Sequence, residues 1–285
     1  VAALQARVAP YLEGRVGEPV PPPEPQPTLA LAQERRFPVP LEPGQDARDV
    51  SVISLDWVWG DQRRLDDVLL GELVELLLLG HAGAPLRHAL ESSGLGRALG
   101  GSGYGDLGAN GVFSVALKGV EPADYHRFEP LVLDTLRRLQ REGFPAGEVE
   151  ASLHQLELSQ RTISGDRFPF GLELGMRVTE AWRLGTDPID QLDQGPAIEA
   201  LRARVAEDGF WARTIDVIFL SKPHRALLIA DPDPAFNARQ DEAARERLAE
   251  RIARLDANAR AGLAVQAEAL AIRQAQEDDV AVLPE

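Results

Sequence analysis

The stretch from Arg64 to Leu79 constrains the fold of this chain more than any other. Leu65, Val68, Leu69, Leu70, Leu73, Val74 and the run Leu76–Leu79 place apolar groups on nearly every side of a helix. Such a helix lies inside a protein or inside a membrane. It is too short for a bilayer, which needs about 20 residues, and it contains Glu72 and Glu75. It must therefore be covered by protein. The cover is written just before it: between Val50 and Gly60, Ile53, Leu55, Trp57 and Trp59 alternate with smaller or polar residues. That period of two predicts a strand with one bulky face turned to a core.

The rest of the chain alternates between the two periods. Helices are predicted over Pro85–Ser92, Pro122–Arg141, Pro145–Ile163, 169–185 and, in large part, 196–220. Strands are predicted at Gly111–Lys118, where Phe113, Val115 and Leu117 share a face, and at Arg225–Ala230, closed by Asp231-Pro232-Asp233-Pro234. Two charged helices follow, with Ala244, Leu248, Ile252 and Leu255 on one and Leu263, Ala267 and Leu270 on the other. Asp256 is placed to cap the second, so the pair reads as a helical hairpin. The fold class is α+β, a largely antiparallel sheet covered by helices and followed by that hairpin.

Domain organisation follows from composition along the chain. Residues 1–16 have a short helical pattern, with Leu4, Val8 and Leu12 four apart. Pro19, Pro21, Pro22, Pro23, Pro25 and Pro27 then hold residues 18–46 extended, a run that builds no core. It reads as an interdomain connector; the other use of such a run is as a ligand for a Pro-recognising groove. The expected division is 1–48 for helix and connector, 49–233 for the α+β domain and 234–285 for a truncated hairpin hinge. At 285 residues, a prior of roughly 150 per domain had allowed two full domains. The chain opens on Val1 and closes on Val280–Glu285, which resembles the start of another element. Both ends are expected to be internal to a longer protein.

Several chemistries are excluded. There is no Cys, hence no disulfide, no thiolate metal site and no Cys nucleophile. Lys and Arg number 30 against 45 Asp and Glu, a net charge of −15 that argues against nucleic acid as a partner. None of His81, His88, His126, His154 and His224 forms an H-x-x-E-H or H-E-x-x-H pair, and none lies four residues from another. Gly103-Tyr104-Gly105-Asp106-Leu107-Gly108 matches G-x-G-x-x-G as a string. A phosphate cradle needs a strand before it and a helix after it, and here the order is inverted. A tight or flexible loop is expected instead. No G-x-S-x-G elbow occurs.

The string Ala84-Pro85-Leu86-Arg87-His88-Ala89-Leu90-Glu91-Ser92-Ser93-Gly94-Leu95-Gly96 resembles the second domain of presequence-protease-like members of the insulinase family of zinc metallopeptidases. Phe113-Ser114-Val115-Ala116-Leu117-Lys118-Gly119-Val120, Phe168-Pro169-Phe170-Gly171-Leu172 and Lys222-Pro223-His224-Arg225 follow in the family's order. The resemblance covers Asp49 to the end. It implies an insulinase or mitochondrial-processing-peptidase-like fold, in a protein of two halves that close around a peptide-digesting chamber. It also implies zinc on an H-x-x-E-H helix of the first, upstream domain, with the second domain catalytically silent.

On that resemblance, the helix Arg64–Leu79 occupies the place of the zinc helix. The motif positions become Glu72, Leu73, Val74, Glu75 and Leu76. Both His positions are lost, to Glu72 and Leu76, and only the general-base Glu survives, as Glu75. Without imidazoles no metal is held to activate a water, so no catalytic residue, metal ligand or cofactor is expected in this segment. Glu75 then reads as a charge at the helix's one wet edge. The expected role is chamber wall and hinge of an enzyme that degrades short unfolded peptides. The alternative is a free-standing silent subunit that holds peptide for a separate active peptidase. Expected partners are the remaining domains of the same polypeptide and unfolded peptides, basic ones favoured by the acidic charge, with neither nucleic acid nor membrane. A bacterial, cytoplasmic setting is expected.

Overall fold

A computed structural model of the chain describes residues 9, 21–27, 29–162, 169–189 and 192–276. The expected helix at 1–16, Pro19, Ile163 and the Phe168 of the third family motif lie outside the described residues. The described residues fall into two units, Val1–Val39 with Gly44–Pro232, and Pro40–Pro43 with Asp233–Glu285.

In the first unit the alternating stretch is strand β2, Val52–Asp61. It runs antiparallel to β5, Asn110–Lys118, on one side and to β6, Arg225–Asp233, on the other. Register puts Ile53 opposite Leu117 and Ile229, Leu55 opposite Val115 and Leu227, and Trp57 opposite Phe113. The bulky residues of three strands thus share one face. Ile53, Leu55, Trp57, Phe113 and Val115 are wholly buried there. The opposite face carries Ser54, Asp56 and Ser114, where both hydroxyls donate to the Asp56 carboxylate.

Helix α1, Leu65–Leu79, packs on the bulky face. It also touches the later helices α2 (Pro85–Ser92), α4 (Ala146–Arg161) and α6 (Gly195–Val205), so its apolar groups meet protein all round. Leu69, Leu73 and Leu78 are fully buried. Helix α3, Phe128–Glu142, and the short α7, Phe210–Ile215, complete the layer. Phe219, in the π turn Asp216–Leu220 after α7, sets its ring edge-on to Trp57 at 5.1 Å and takes the Trp57 indole N–H on its carbonyl at 3.0 Å.

Four expectations are corrected. Residues 33–40 of the Pro-rich connector form a strand, β1, beside β6 at the sheet edge. Its side chains are mostly exposed and charged, as at Glu34, Arg35 and Arg36, which suits an edge that must not recruit another strand. The glycine-rich loop is in fact ordered: Ala98–Leu99 is β3, and Gly103–Leu107 is β4, paired antiparallel with β5. Strand β6 does not stop at Ala230 but continues through Pro232. Ala230 pairs with Val52, where β2 begins, so Pro232 needs no N–H toward β2. The helix expected from Pro122 starts as a 3₁₀ turn, Pro122–Arg127, and becomes α-helical only at Phe128. Helix α5 runs from Phe170 to Leu184.

The second unit holds α8, Phe236–Ala253, and α9, Ala257–Gln274. Asp256 caps α9, its carboxylate accepting from the Ala259 N–H at 2.8 Å. The Arg260 guanidinium closes the turn by donating to the carbonyls of Ile252 and Leu255. No residue of either helix is buried. Among the described residues no helix is long and apolar enough to cross a membrane.

Candidate functional site

Glu72, Glu75 and Leu76 lie three and four residues apart on α1, a spacing that gives them one common face. Strand β4 passes that face. The Glu75 carboxylate accepts the backbone N–H of Tyr104 at 3.0 Å and is half-buried. This corrects the reading of Glu75 as a charge at a wet edge: it ties the helix to the sheet. The approach is so close that a Cβ on Gly103, whose φ is +128°, would lie 2.5 Å from the Glu75 oxygen. Burial pushes the Glu75 pKa up, against the pull of the Tyr104 N–H.

Tyr104 sits at the centre of this junction. Its ring lies over Gly71 of α1, where a Cβ would come within 2.5 Å of a ring carbon. Trp59 meets it edge-on at 5.8 Å. Its hydroxyl accepts from the Gln62 amide at 2.8 Å. Burial, with the Glu72 carboxylate adding to it, raises the Tyr104 pKa, so the phenol stays protonated.

Glu72 points elsewhere. It lines a cleft bounded by α1, β4, α5 and the start of α6. Burial raises its pKa; the Arg177 charge opposes that rise and Glu75 adds to it. Leu76 is part-buried and packs on the hydrophobic core.

The three positions therefore hold one carboxylate engaged by a backbone N–H, one carboxylate in a cleft and one alkyl group. Catalytic zinc takes three protein ligands of imidazole or carboxylate type, and Leu76 offers no donor atom. The donor set does not fit the metal. Among the described residues no three His, Asp or Glu side chains gather as a ligand group. The histidines are dispersed: His81 and His88 are exposed, His126 bonds the carbonyl of Ala123 in its own turn, and His224 is buried on β6's approach.

Gln62, Tyr104, Arg177 and Gln194 belong to this region and were not singled out from the sequence. They come from four separate parts of the chain, so no spacing links them. The only local signal was Tyr104 itself, an aromatic held between Gly103 and Gly105.

Comparisons with known proteins agree with this geometry. The family described as "Peptidase M16 inactive domain" matches residues 3–156, and a region described as associated with subfamily C of the M16 peptidases matches residues 231–285. Presequence protease 1, chloroplastic/mitochondrial, of Arabidopsis thaliana is 32% identical over 238 residues, covering 82% of this chain and 22% of that protein. The mitochondrial presequence protease of Gibberella zeae is 29% identical over 214 residues, covering 75% of this chain and 21% of that protein. The chain thus spans about a fifth of the length of these relatives. Among solved structures, a peptidase M16 inactive domain from Pseudomonas fluorescens superposes with a TM-score of 0.55 at 16% identity, covering 81% of this chain and 50% of that one. At that identity the likeness speaks for the fold. With a family match over more than half of its length, the chain belongs to the M16 peptidases, as an inactive domain of presequence-protease-like zinc proteases.

Proposed function

We propose that this domain forms part of the wall of a peptide-digesting chamber, and that α8 and α9 form the hinge between the chamber's halves. One observation carries the reading: α1, which the resemblance assigns to the place of the zinc helix, is buried and presents no set of metal donors. Glu75 is committed to the Tyr104 N–H and Leu76 cannot bind a metal. What remains is a rigid sheet-and-helix body, suited to shaping a surface. The remaining domains of the same polypeptide are its partners, and they hold the zinc and the peptide-bond chemistry. The substrates are short, unfolded peptides, because a closed chamber excludes folded proteins by size.

The net charge of −15 supports a preference for basic peptides, steered by a field that salt weakens. The test uses the longer protease that carries this domain. Cross-linking α8 to α9 through introduced cysteines should abolish turnover of an unfolded peptide, and reduction should restore it. Unchanged turnover in the cross-linked protein would remove the hinge role. A KM for basic peptides that ignores ionic strength would remove the steering.

A further inference from the structure

The cleft beside Glu72 has a lining divided by chemistry. It encloses about 360 Å³. Val68, Met176, Ala181 and Leu184 form an apolar wall. The polar groups facing it differ in what they have left to offer. Its donors are engaged: the Gln62 amide on the Tyr104 hydroxyl, the Thr186 hydroxyl on the Ala181 carbonyl at 3.1 Å, and the Arg177 guanidinium on Glu173 at 2.7 Å. Its acceptors are engaged only in part: the Arg183 guanidinium holds the Glu180 carboxylate, while three other acceptors stand open. Among the described residues Glu72 and Asp106 enter no hydrogen bond or ion pair through their carboxylates, and Gln194 Oε1 is fully buried without a hydrogen-bond partner.

A buried acceptor left unpaired costs about 1–3 kcal/mol. A half-buried carboxylate that accepts no hydrogen bond is likewise held at a cost, which the Arg177 charge lessens without cancelling, so that burial still raises the Glu72 pKa. Both penalties end when a guest brings donors and positive charge. A guanidinium brings five donors and no acceptor. Its alkyl stem is apolar and lies readily along an apolar wall. An anionic guest would face Glu72, Asp106 and Glu180 together.

We propose that this cleft is a subsite for an arginine side chain of an extended peptide, with Glu72 as counter-ion and Gln194 Oε1 as the deep acceptor. The proposal rests on the reading that this domain meets peptide substrate. It adds a specific position to a general acidic field, and it gives Glu72 a role other than metal binding.

The test is an NMR titration of the ¹⁵N-labelled 285-residue chain with the blocked peptide Ac-Ala-Ala-Arg-Ala-Ala-amide. The control peptide carries citrulline in place of arginine, which keeps the shape and removes the charge. Backbone signals around Glu72 and Gln194 should move, and the arginine peptide should bind at least about 5-fold tighter, a difference of about 1 kcal/mol. Glu72→Gln, which preserves shape, should abolish that discrimination. Gln194→Ala should weaken both peptides alike, since both carry N–H donors. Equal affinity for the two peptides, shifts confined to another face, or discrimination that survives Glu72→Gln would each overturn the proposal. In the longer protease, Glu72→Gln should raise KM for arginine peptides about 5-fold. Intact binding in the chain with an unchanged KM would leave the cleft standing and sink the chamber reading.

Discussion

Helix α1 is rich in leucine and helix α9 in alanine with a few larger apolar groups, and the two end in opposite environments. In α1 the residues Leu69, Leu73, Leu77 and Leu78 are at most 1% exposed. In α9 Leu263, Val265, Leu270 and Ile272 are all more than 50% exposed. The difference lies in what the neighbouring sequence supplies. An alternating strand with two tryptophans immediately precedes α1, whereas charged α8 precedes α9. Periodicity names the apolar side of a helix; only a second apolar surface decides whether that side is buried.

The largest way to test this contrast is truncation at matched positions. Leu73→Ala should destabilise the chain by about 3–5 kcal/mol, since it opens a cavity in a packed core. Leu263→Ala should change stability by less than about 0.5 kcal/mol. Urea denaturation measures both when it is followed by tryptophan fluorescence, since Trp57 and Trp59 report the sheet core, and by helical circular dichroism, which includes α9. Equal losses at the two sites would mean that α9 is covered in solution.

Glycine gives a sharper version, in which even the sign changes. Gly71 and Gly262 both lie inside helices, where Ala is normally the better residue by roughly 0.5–1 kcal/mol. At Gly262 nothing stands within 4 Å of the added Cβ, so Gly262→Ala should stabilise α9, read as greater helicity by circular dichroism. At Gly71 the Tyr104 ring stands 2.5 Å away. Gly71→Ala should therefore destabilise by about 1–3 kcal/mol, the usual effect of overpacking. It should also shift the fluorescence of Trp59, whose ring meets Tyr104. A stabilised Gly71→Ala protein would show that the Tyr104 ring yields freely.

The same contrast explains what could be read from the sequence. The period-two stretch before α1 was legible because Ile53, Leu55, Trp57 and Trp59 are bulky and unbroken. Strand β4 was not, since Gly103 and Gly105 are poor strand formers on intrinsic grounds. Pairing with β5 and the Glu75 bond to Tyr104 override that preference. Edge strand β1 was hidden by its charges and by the prolines around it. That Glu72 and Leu76 cannot form an imidazole pair was legible from their identities alone, whereas their correspondence to zinc-helix positions rests on the family resemblance. The cleft was not legible, because Gln62, Asp106, Arg177 and Gln194 meet only in three dimensions.

Charge on α1 offers a smaller test. Burial raises the pKa of Glu72 above its ordinary value of 4.5. A carboxyl with a raised folded pKa favours the fold while protonated. Its contribution is complete below the unfolded pKa and is lost as pH climbs through the folded one. Glu72→Gln should flatten the part of the stability–pH curve that falls above pH 4.5, and raise stability at pH 7 by less than about 1 kcal/mol. Thermal melts from pH 4 to 8 would show it. An unchanged slope would mean that Glu72 is solvated in the free chain, and the cleft's affinity for a cation would then lose its cause.

The smallest global effect belongs to the cap of α9. The Asp256 carboxylate satisfies the Ala259 N–H at 2.8 Å, and loss of such a cap costs about 0.5–2 kcal/mol of helix stability. Helix α9 buries none of its residues, so that loss should stay local. Asp256→Ala should speed amide exchange in the first turns of α9 while moving the urea midpoint of the sheet core hardly at all. If the midpoint moves with it, the two units unfold together. The contrast between a core-buried α1 and an open α9 would then describe where side chains lie, but not how the chain melts.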